Sequence, residues 1–454
     1  MMPMISIIIP TYNGITYLQQ CVNALKMYNI PQCEFIIVDN ESTDGTKEWL
    51  EGQNIVVVHG NINWGFAKSF NEGRKMAQGR YLLFMHNDVV CTREVVPALL
   101  ETVKNDKVAA AGPFTNCCIH NKQFVDADSY QTLEEMQAFA LKYTNNGKDI
   151  FVDASLFLES FCLMVRAEAF DEVSGFDERF NSPYYDGVDL SFRLTNAGYW
   201  VCTTTVYVHH GDGSIDMQGL SPVDEKEIEK NKFSNKWGFD LSYSSYIRHG
   251  LLNHIDIGRP GLTVLELGCA LGGNLMYMKW LNRSANLTAV ELDAPAAEIA
   301  KNYGDVLVRD VEGIDFDALE CKFDYILACD IIEHLRDPWG LVKNLARVLK
   351  PQGKFVASIP NVAHISVIGD LLNTKWVYAD AGLLDRTHLR FFTRETMVSM
   401  FEEAGFSIET CEYVKMILPE KLTRLIDNLI KLPDVSISRE DLEAYQIFIT
   451  AVKK

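Results

Sequence analysis

The chain has 454 residues, 48% hydrophobic and 23% charged, with a net charge of −19 at pH 7. That length exceeds one ordinary core, so two domains are expected, and the composition is that of a folded globular protein. The acidic balance excludes the basic footprint of a nucleic-acid binder, while small anionic substrates stay open because a bound cation can invert a local field.

Ile5 to Ile9, stopped by Pro10-Thr11-Tyr12-Asn13-Gly14, predicts a buried strand ending in turn chemistry. Leu18, Val22 and Leu25 follow at helical spacing. Phe35-Ile36-Ile37-Val38-Asp39 predicts a second strand ending on an acid, and Ser42 or Thr43 can cap a helix from Thr46. Ile55 to Val58 predicts a third strand, and the segment from Asn61 to Gly73 leads into another helix. Tyr81-Leu82-Leu83-Phe84-Met85 predicts a strand buried on both faces that breaks into His86-Asn87-Asp88. Strands alternating with helices imply a mostly parallel sheet whose loops share one edge, so Asp39 and Asp88 should face one cleft. Taken alone, an acid after a strand is equally a cap or turn residue.

Pro10-Thr11-Tyr12-Asn13, Val38-Asp39-Asn40 with Ser42 to Thr46, the Asn63/Gly65/Phe66/Asn71/Gly73 segment and Asn87-Asp88 together resemble a family 2 glycosyltransferase of GT-A fold. The resemblance implies a nucleotide-diphosphate sugar donor and inverting transfer to a glycan or glycoconjugate acceptor. It implies that Thr11, Asp39 and Asn87 line the donor site, with Asp39 on the nucleobase, and that Asp88 holds Mg²⁺ or Mn²⁺. His86 stands where relatives carry the first acid of that motif. Asp186-Gly187-Val188-Asp189 resembles the acceptor-side motif, but Gly187 occupies the expected base position. Asp186 is the preferred substitute base and Asp189 the second candidate; the competing reading has both acids serving a helix N-terminus. Val206-Tyr207-Val208 predicts a strand ending in His209-His210, of which His209 is the preferred metal contact. Cys117, Cys118 and His120 lack a second ligand pair at zinc spacing and read as ordinary residues.

The charged stretch Asp224 to Lys232 predicts a solvated helix, and the boundary is set at residue 240, giving domains 1–240 and 241–454. A new series opens with Leu262 to Glu266, Leu267, Gly268, Cys269 and Ala270, a strand entering a glycine turn. Dinucleotide binding competes for that pattern. Further strands are predicted at Leu287 to Glu291, Val306 to Val308 and Phe323 to Asp330, each followed by an acid or ending on one. With Val348 to Lys354, the series resembles a class I S-adenosylmethionine-dependent methyltransferase of Rossmann-like α/β fold. The resemblance implies that Glu266, Gly268, Cys269, Glu291, Asp310 and Asp330 line the S-adenosylmethionine site, Glu291 on the ribose and Asp310 on the adenine. His334 is the candidate base, with core packing as its competing use.

Phe406 to Glu409 and Tyr445 to Val452 predict a closing edge hairpin interrupted by an insertion. Leu422, Leu425, Ile426, Leu429 and Ile430 form an apolar stripe there, for packing or, more sharply, for a lid or peripheral membrane contact. Eleven cysteines without regular spacing and no secretory leader suggest a reducing cytoplasm, and no apolar run approaches the ~20 residues that span a bilayer. The sequence therefore predicts a bifunctional glycosyltransferase–methyltransferase. The alternative is a methyltransferase whose first domain only binds glycan or a partner.

Overall fold

The computed structural model describes residues 3–127, 130–211, 222–241, 245–319, 322–433 and 436–454. It divides into two compact units, Met1–Ser245 and Tyr246–Lys454. Each is an α/β unit built on one sheet.

The first sheet comprises β1 (Ile5–Thr11), β2 (Cys33–Asp39), β3 (Val56–His59), β4 (Tyr81–Met85), β5 (Val89–Cys91), β6 (Val108–Thr115), β7 (Val152–Ala154), β8 (Cys162–Arg166) and β9 (Trp200–His210). Its order is β3-β2-β1-β4-β8-β6-β9-β5, with β7 also paired to β9. The first four strands are parallel. β1 and β4 are buried along their whole length, as strands covered on both faces must be. Beyond β4 the sheet is mixed, with β8 antiparallel to both β4 and β6. Only residues 86–88 separate β4 from β5, too few for a parallel crossover, and β5 instead pairs antiparallel with β9. Helix Gly65–Met76 presses Phe70 onto this core, with its ring 5.1 Å from both Phe84 and Phe176.

The loop after β2 is tied down differently from the expected Ser42 or Thr43 cap. Asp44 Oδ1 accepts from Thr46 N and Oγ1, at 3.2 and 2.6 Å. Ser42 Oγ and Thr43 N instead bond Asn13, fastening this loop to the one after β1. Two loops at the ligand edge thereby hold each other in place.

Helix Asp186–Asn196 crosses under the segment that precedes β8. A Cβ on Gly187 would stand 2.7 Å from Leu158 O, 2.7 Å from Ser160 N and 2.9 Å from Glu159 C. Backbone cannot yield as a side-chain tip can. Gly187→Ala should therefore destabilise the chain by about 1–3 kcal/mol, the usual cost of overpacking, read as a lowered urea midpoint.

The second sheet comprises β10 (Thr263–Leu267), β11 (Asn286–Glu291), β12 (Asp305–Val308), β13 (Phe323–Cys329), β14 (Leu349–Pro360), β15 (Phe406–Lys415) and β16 (Ala444–Lys453), ordered β12-β11-β10-β13-β14-β16-β15. All pairs are parallel except those made by β16. The expected closing hairpin is present, with Phe406 opposite Lys453 and β15 at the edge. Within the insertion, helix Glu420–Leu429 buries Ile426 and packs Leu422, Leu425 and Leu429 around Ile365 and Ile368. Its stripe is thus used for packing inside its own unit. No helix among the described residues is long and apolar enough to cross a membrane.

Candidate active sites

In the first unit the site is built at the C-terminal ends of the parallel strands. Thr11 and Asp39 are opposite each other in the β1–β2 register. Asn87, just past β4, donates from Nδ2 to Thr11 Oγ1 at 3.0 Å. Asp39 is fully buried; its Oδ1 accepts from Ser42 N at 3.2 Å, and its Oδ2 has no hydrogen-bond partner. The exposed ring of His59 lies 3.7 Å from that oxygen. Thr11, Asp39 and Asn87 thus form one row across β2, β1 and β4.

Beside this row, His86, Asp88 and His210 bring their ligand atoms within 4.8 Å of one another. His209 does not join them. Successive strand residues face opposite ways, and His209 turns its Nδ1 to the Tyr130 hydroxyl at 2.7 Å. It lines a separate cavity of about 450 Å³ with Val90, Met27 and Met136, in whose wall no acid stands among the described residues. The structure thus places His209, the expected metal contact, outside this cluster, and His210 stands in it instead, its Nε2 3.5 Å from Asp88 Oδ1.

Hydrogen bonds orient both imidazoles. His210 Nδ1 donates to Cys117 O at 2.9 Å, which turns its Nε2 towards Asp88. Asp186 Oδ1 accepts from Ser160 Oγ at 2.8 Å, and that oxygen lies 3.4 Å from His86 Nε2. His86 Nδ1 consequently faces His210 Nε2, at 3.4 Å. Burial, and then the charge on His210, depress His86 to about 3, so its ring is neutral. Burial pushes the Asp88 carboxyl up, but contact with His210 and the charge on that ring outweigh it and hold it below the usual carboxylate range. Asp88 Oδ1 has no hydrogen-bond partner.

These three residues border a cavity of about 150 Å³ that also takes in Glu159 and Glu225. No lysine or arginine lines it among the described residues. The two expected bases do not line it either. Asp186 is fully buried against Ser160, and burial raises its carboxyl to about 7. Asp189 is bound to Arg193 Nε at 2.8 Å, Trp237 Nε1 at 2.9 Å and Lys236. The former orients the histidine chain; the latter ties helix Asp186–Asn196 to helix Pro222–Trp237.

In the second unit, Gly268, Glu291, Asp310 and His334 line one cavity of about 280 Å³. Gly268 has φ +67°, the left-handed backbone that favours glycine at this turn. Glu291 Oε2 accepts from Ala270 N at 2.7 Å and Oε1 from Asp293 N at 2.8 Å, which fixes the carboxylate at the mouth of the turn. Asp310 Oδ1 accepts from Glu312 N at 3.0 Å. His334 Nδ1 donates to Thr387 O at 3.1 Å, and its other face meets Glu333 and His388, with ligand atoms within 4.8 Å.

The remaining candidates sit behind the cavity. Asp330 is engaged by Arg248, Gln446 and Ser358 Oγ, the last at 2.6 Å. Cys269 is buried, and burial raises its thiol far above the ordinary value. Glu266 is buried on β10 and accepts from Asn274 Nδ2 at 2.7 Å. These three shape the turn from beneath and are not among the residues lining this cavity.

Residues 6–174 match the sequence profile of glycosyl transferase family 2, and residues 239–410 that of a methyltransferase domain. The chain joins a family 2 glycosyltransferase domain to a methyltransferase domain. Over 91 residues it is 37% identical to a Bacillus subtilis glycosyltransferase named for teichuronic acid biosynthesis, covering 19% of this chain and 36% of that protein. Over 154 residues it is 28% identical to a ubiquinone biosynthesis O-methyltransferase of Coxiella burnetii, covering 32% of this chain and 63% of that protein. The rat mitochondrial protein of that name is 25% identical over 251 residues, covering 48% and 70%. The chain thus spans about a third of the first relative and under two thirds of the second.

In the glycosyltransferase domain, sequence reasoning missed His86 and His210 as partners of Asp88, and Glu159 altogether. Tyr207 and Val208 are both buried, so β9 carries no inside–outside alternation that would tell His209 from His210. In the methyltransferase domain it missed His388, which lies 54 residues beyond His334 and meets it only through folding.

Glu266 generates a pH prediction. Burial raises its carboxyl to about 8 from an ordinary 4.5. Between those values the folded chain keeps a proton that the unfolded chain has released, so stability falls as pH rises through the window. Glu266→Gln should remove this component, flattening the pH dependence by up to roughly 1.4 kcal/mol per pH unit, measured by urea unfolding across it.

Proposed function

We propose that the first unit transfers a sugar from a nucleotide-diphosphate sugar to a glycan or glycoconjugate hydroxyl with inversion. The second unit methylates the same or a related glycan, most simply at oxygen, using S-adenosylmethionine. The observation that carries the reading is the acidic cavity, without a lysine or arginine among the described residues, on which the ligand atoms of His86, Asp88 and His210 converge. A diphosphate leaving group cannot be stabilised by such a wall unaided.

The residues fit a divalent ion. A buried carboxylate oxygen lacks a partner, and two imidazoles are locked with a ring nitrogen inward. Two nitrogen donors favour Mn²⁺ over Mg²⁺, which prefers oxygen alone. When bound, the ion would neutralise charge on the diphosphate. Asp39 would receive the nucleobase through its unpartnered Oδ2, with Thr11 and Asn87 holding the adjoining loops.

In the second unit, Glu291 would hold the ribose hydroxyls and Asp310 the adenine amino group, while the Gly268 turn lets the backbone approach the ligand. S-adenosylmethionine supplies a methyl group whose transfer leaves a neutral thioether. His334, backed by Glu333 and His388, would take the acceptor proton. The ten free thiols among the described residues and a nucleotide-sugar donor suit a cytoplasmic setting.

A second reading has its own observation: Gly187 leaves the usual base position without an acid, as in a domain that binds glycan but does not turn over. Cleavage of nucleotide sugars by the intact chain decides between the two. Wild-type chain should bind Mn²⁺ together with UDP or GDP, quenching the free-ion paramagnetic resonance signal. Asp88→Ala should lose at least tenfold in Mn²⁺ affinity, about 1.4 kcal/mol, while His209→Gln should not. Equal losses in both variants would refute the assignment to His210.

For the second unit, calorimetry with S-adenosylmethionine should show about 10²-fold weaker binding in Glu291→Ala, the loss expected from charged hydrogen bonds to two hydroxyls. Labelled methyl should then appear on glycan incubated with wild-type chain. Label found only on an unrelated protein or small metabolite would separate the two activities.

A further inference from the structure

The family's acceptor-side motif leaves this chain short of one acid, and the fold supplies another. The peptide 158–160 lies directly over Gly187, with three of its backbone atoms within 2.9 Å of where a Cβ would be. An acid on residue 187 is therefore sterically excluded, and the residue carried by the covering peptide is Glu159. We propose that Glu159 is the general base that accepts the proton of the attacking hydroxyl. This rests on the glycosyltransferase reading above.

Four observations support it. Glu159 lines the same cavity as Asp88 and His210, whereas Asp186 and Asp189 do not. It is 3% exposed and sits on the short segment that runs into β8. Its carboxylate is pre-oriented: Ile119 N donates to Oε2 at 2.9 Å, and His120 N donates to Oε1 at 2.7 Å. Each oxygen keeps a second lone pair for a substrate proton. Its own N–H donates to Gln123 Oε1 at 2.8 Å, so the backbone beneath it is also fixed. Glu225 is the other acid of the cavity wall besides Asp88, but its carboxylate accepts from Ser182 Oγ.

In the step this assigns, the acceptor oxygen forms a bond to the anomeric carbon as the carbon–oxygen bond to the diphosphate breaks. The electrons of the broken bond leave on the diphosphate. The acceptor proton passes to a Glu159 oxygen and afterwards to solvent. Water can replace the acceptor, which makes donor hydrolysis a usable assay.

The test compares intact wild type, Glu159→Gln, Glu159→Ala and Glu225→Gln. UDP and GDP binding with Mn²⁺ is read by calorimetry, and hydrolysis of UDP-glucose and GDP-mannose by diphosphate release. Glu159→Gln should bind within about twofold of wild type yet hydrolyse donor about 10²-fold more slowly or worse. In Glu159→Ala, azide, a nucleophile with no proton to lose, should restore cleavage and yield the glycosyl azide. Hydrolysis at the wild-type rate in Glu159→Gln, or its loss in Glu225→Gln instead, overturns the proposal. So does loss of diphosphate binding in both Glu159 variants, which would mark a purely structural carboxylate. A wild-type chain that binds diphosphate but cleaves neither donor overturns the base and favours the binding module. One that binds neither diphosphate sinks the glycosyltransferase reading itself.

Discussion

The first unit is organised around an electrostatic deficit. Asp88, Glu159 and Glu225 border one small cavity in which no lysine or arginine answers them. Buried carboxylates ordinarily acquire a full cationic partner or a proton, and Asp88 has only imidazoles beside it, His210 Nε2 3.5 Å from its Oδ1. The nearby imidazoles hold it ionised while leaving one of its oxygens without a hydrogen bond. A site that spends folding stability on an anion faced only by imidazoles is one that gains from a cation arriving later. The Asp186–Ser160–His86 chain reads naturally in that light, because a carboxylate behind a histidine fixes which ring nitrogen stays bare.

That chain also explains how the departure at Gly187 is absorbed. Asp186 faces away from the cavity because Ser160 engages it, and Ser160 is held there by the close passage of its peptide over Gly187. The same passage presents Glu159 to the other side. One tight backbone contact therefore sets both the orientation of His86 and the location of an acid beside it. A larger residue at 187 would displace both at once, so the glycine and the glutamate are best understood as a single device.

Much of this architecture was legible in the chain. Long apolar runs such as Tyr81–Met85 are unmistakable as buried strands, and the acids that end β2 and β11 follow from strand–turn chemistry. Four of the methyltransferase candidates, Gly268, Glu291, Asp310 and His334, do converge on one cavity. What could not be read was the parity of β9, buried on both faces where His209 and His210 begin, and the fate of acids whose partners arrive from far along the chain. Trp237 and Lys236 claim Asp189 across 48 and 47 positions, and Arg248 claims Asp330 across 82. Spacing within a motif carries no information about such competitors. Short strands such as β7 and β8, lacking an intervening helix pattern, were invisible for the same reason.

The two units answer one problem in the same physical way. Each places a carboxylate at the end of its second strand and ties it to the backbone N–H of a neighbouring loop: Ser42 N for Asp39, Ala270 N for Glu291. A carboxylate oriented by main-chain donors keeps acceptor capacity for ligand hydroxyls or base edges. Parallel strands make this arrangement cheap, since their C-terminal ends gather several loops at one edge without further chain. Ligand charge is where the units diverge. The S-adenosylmethionine proposed for the second unit would bring its own positive charge, so Glu291 and Asp310 would need no cation beside them. The donor proposed for the first unit would bring only negative charge, and it is there that the fold collects His86, Asp88 and His210.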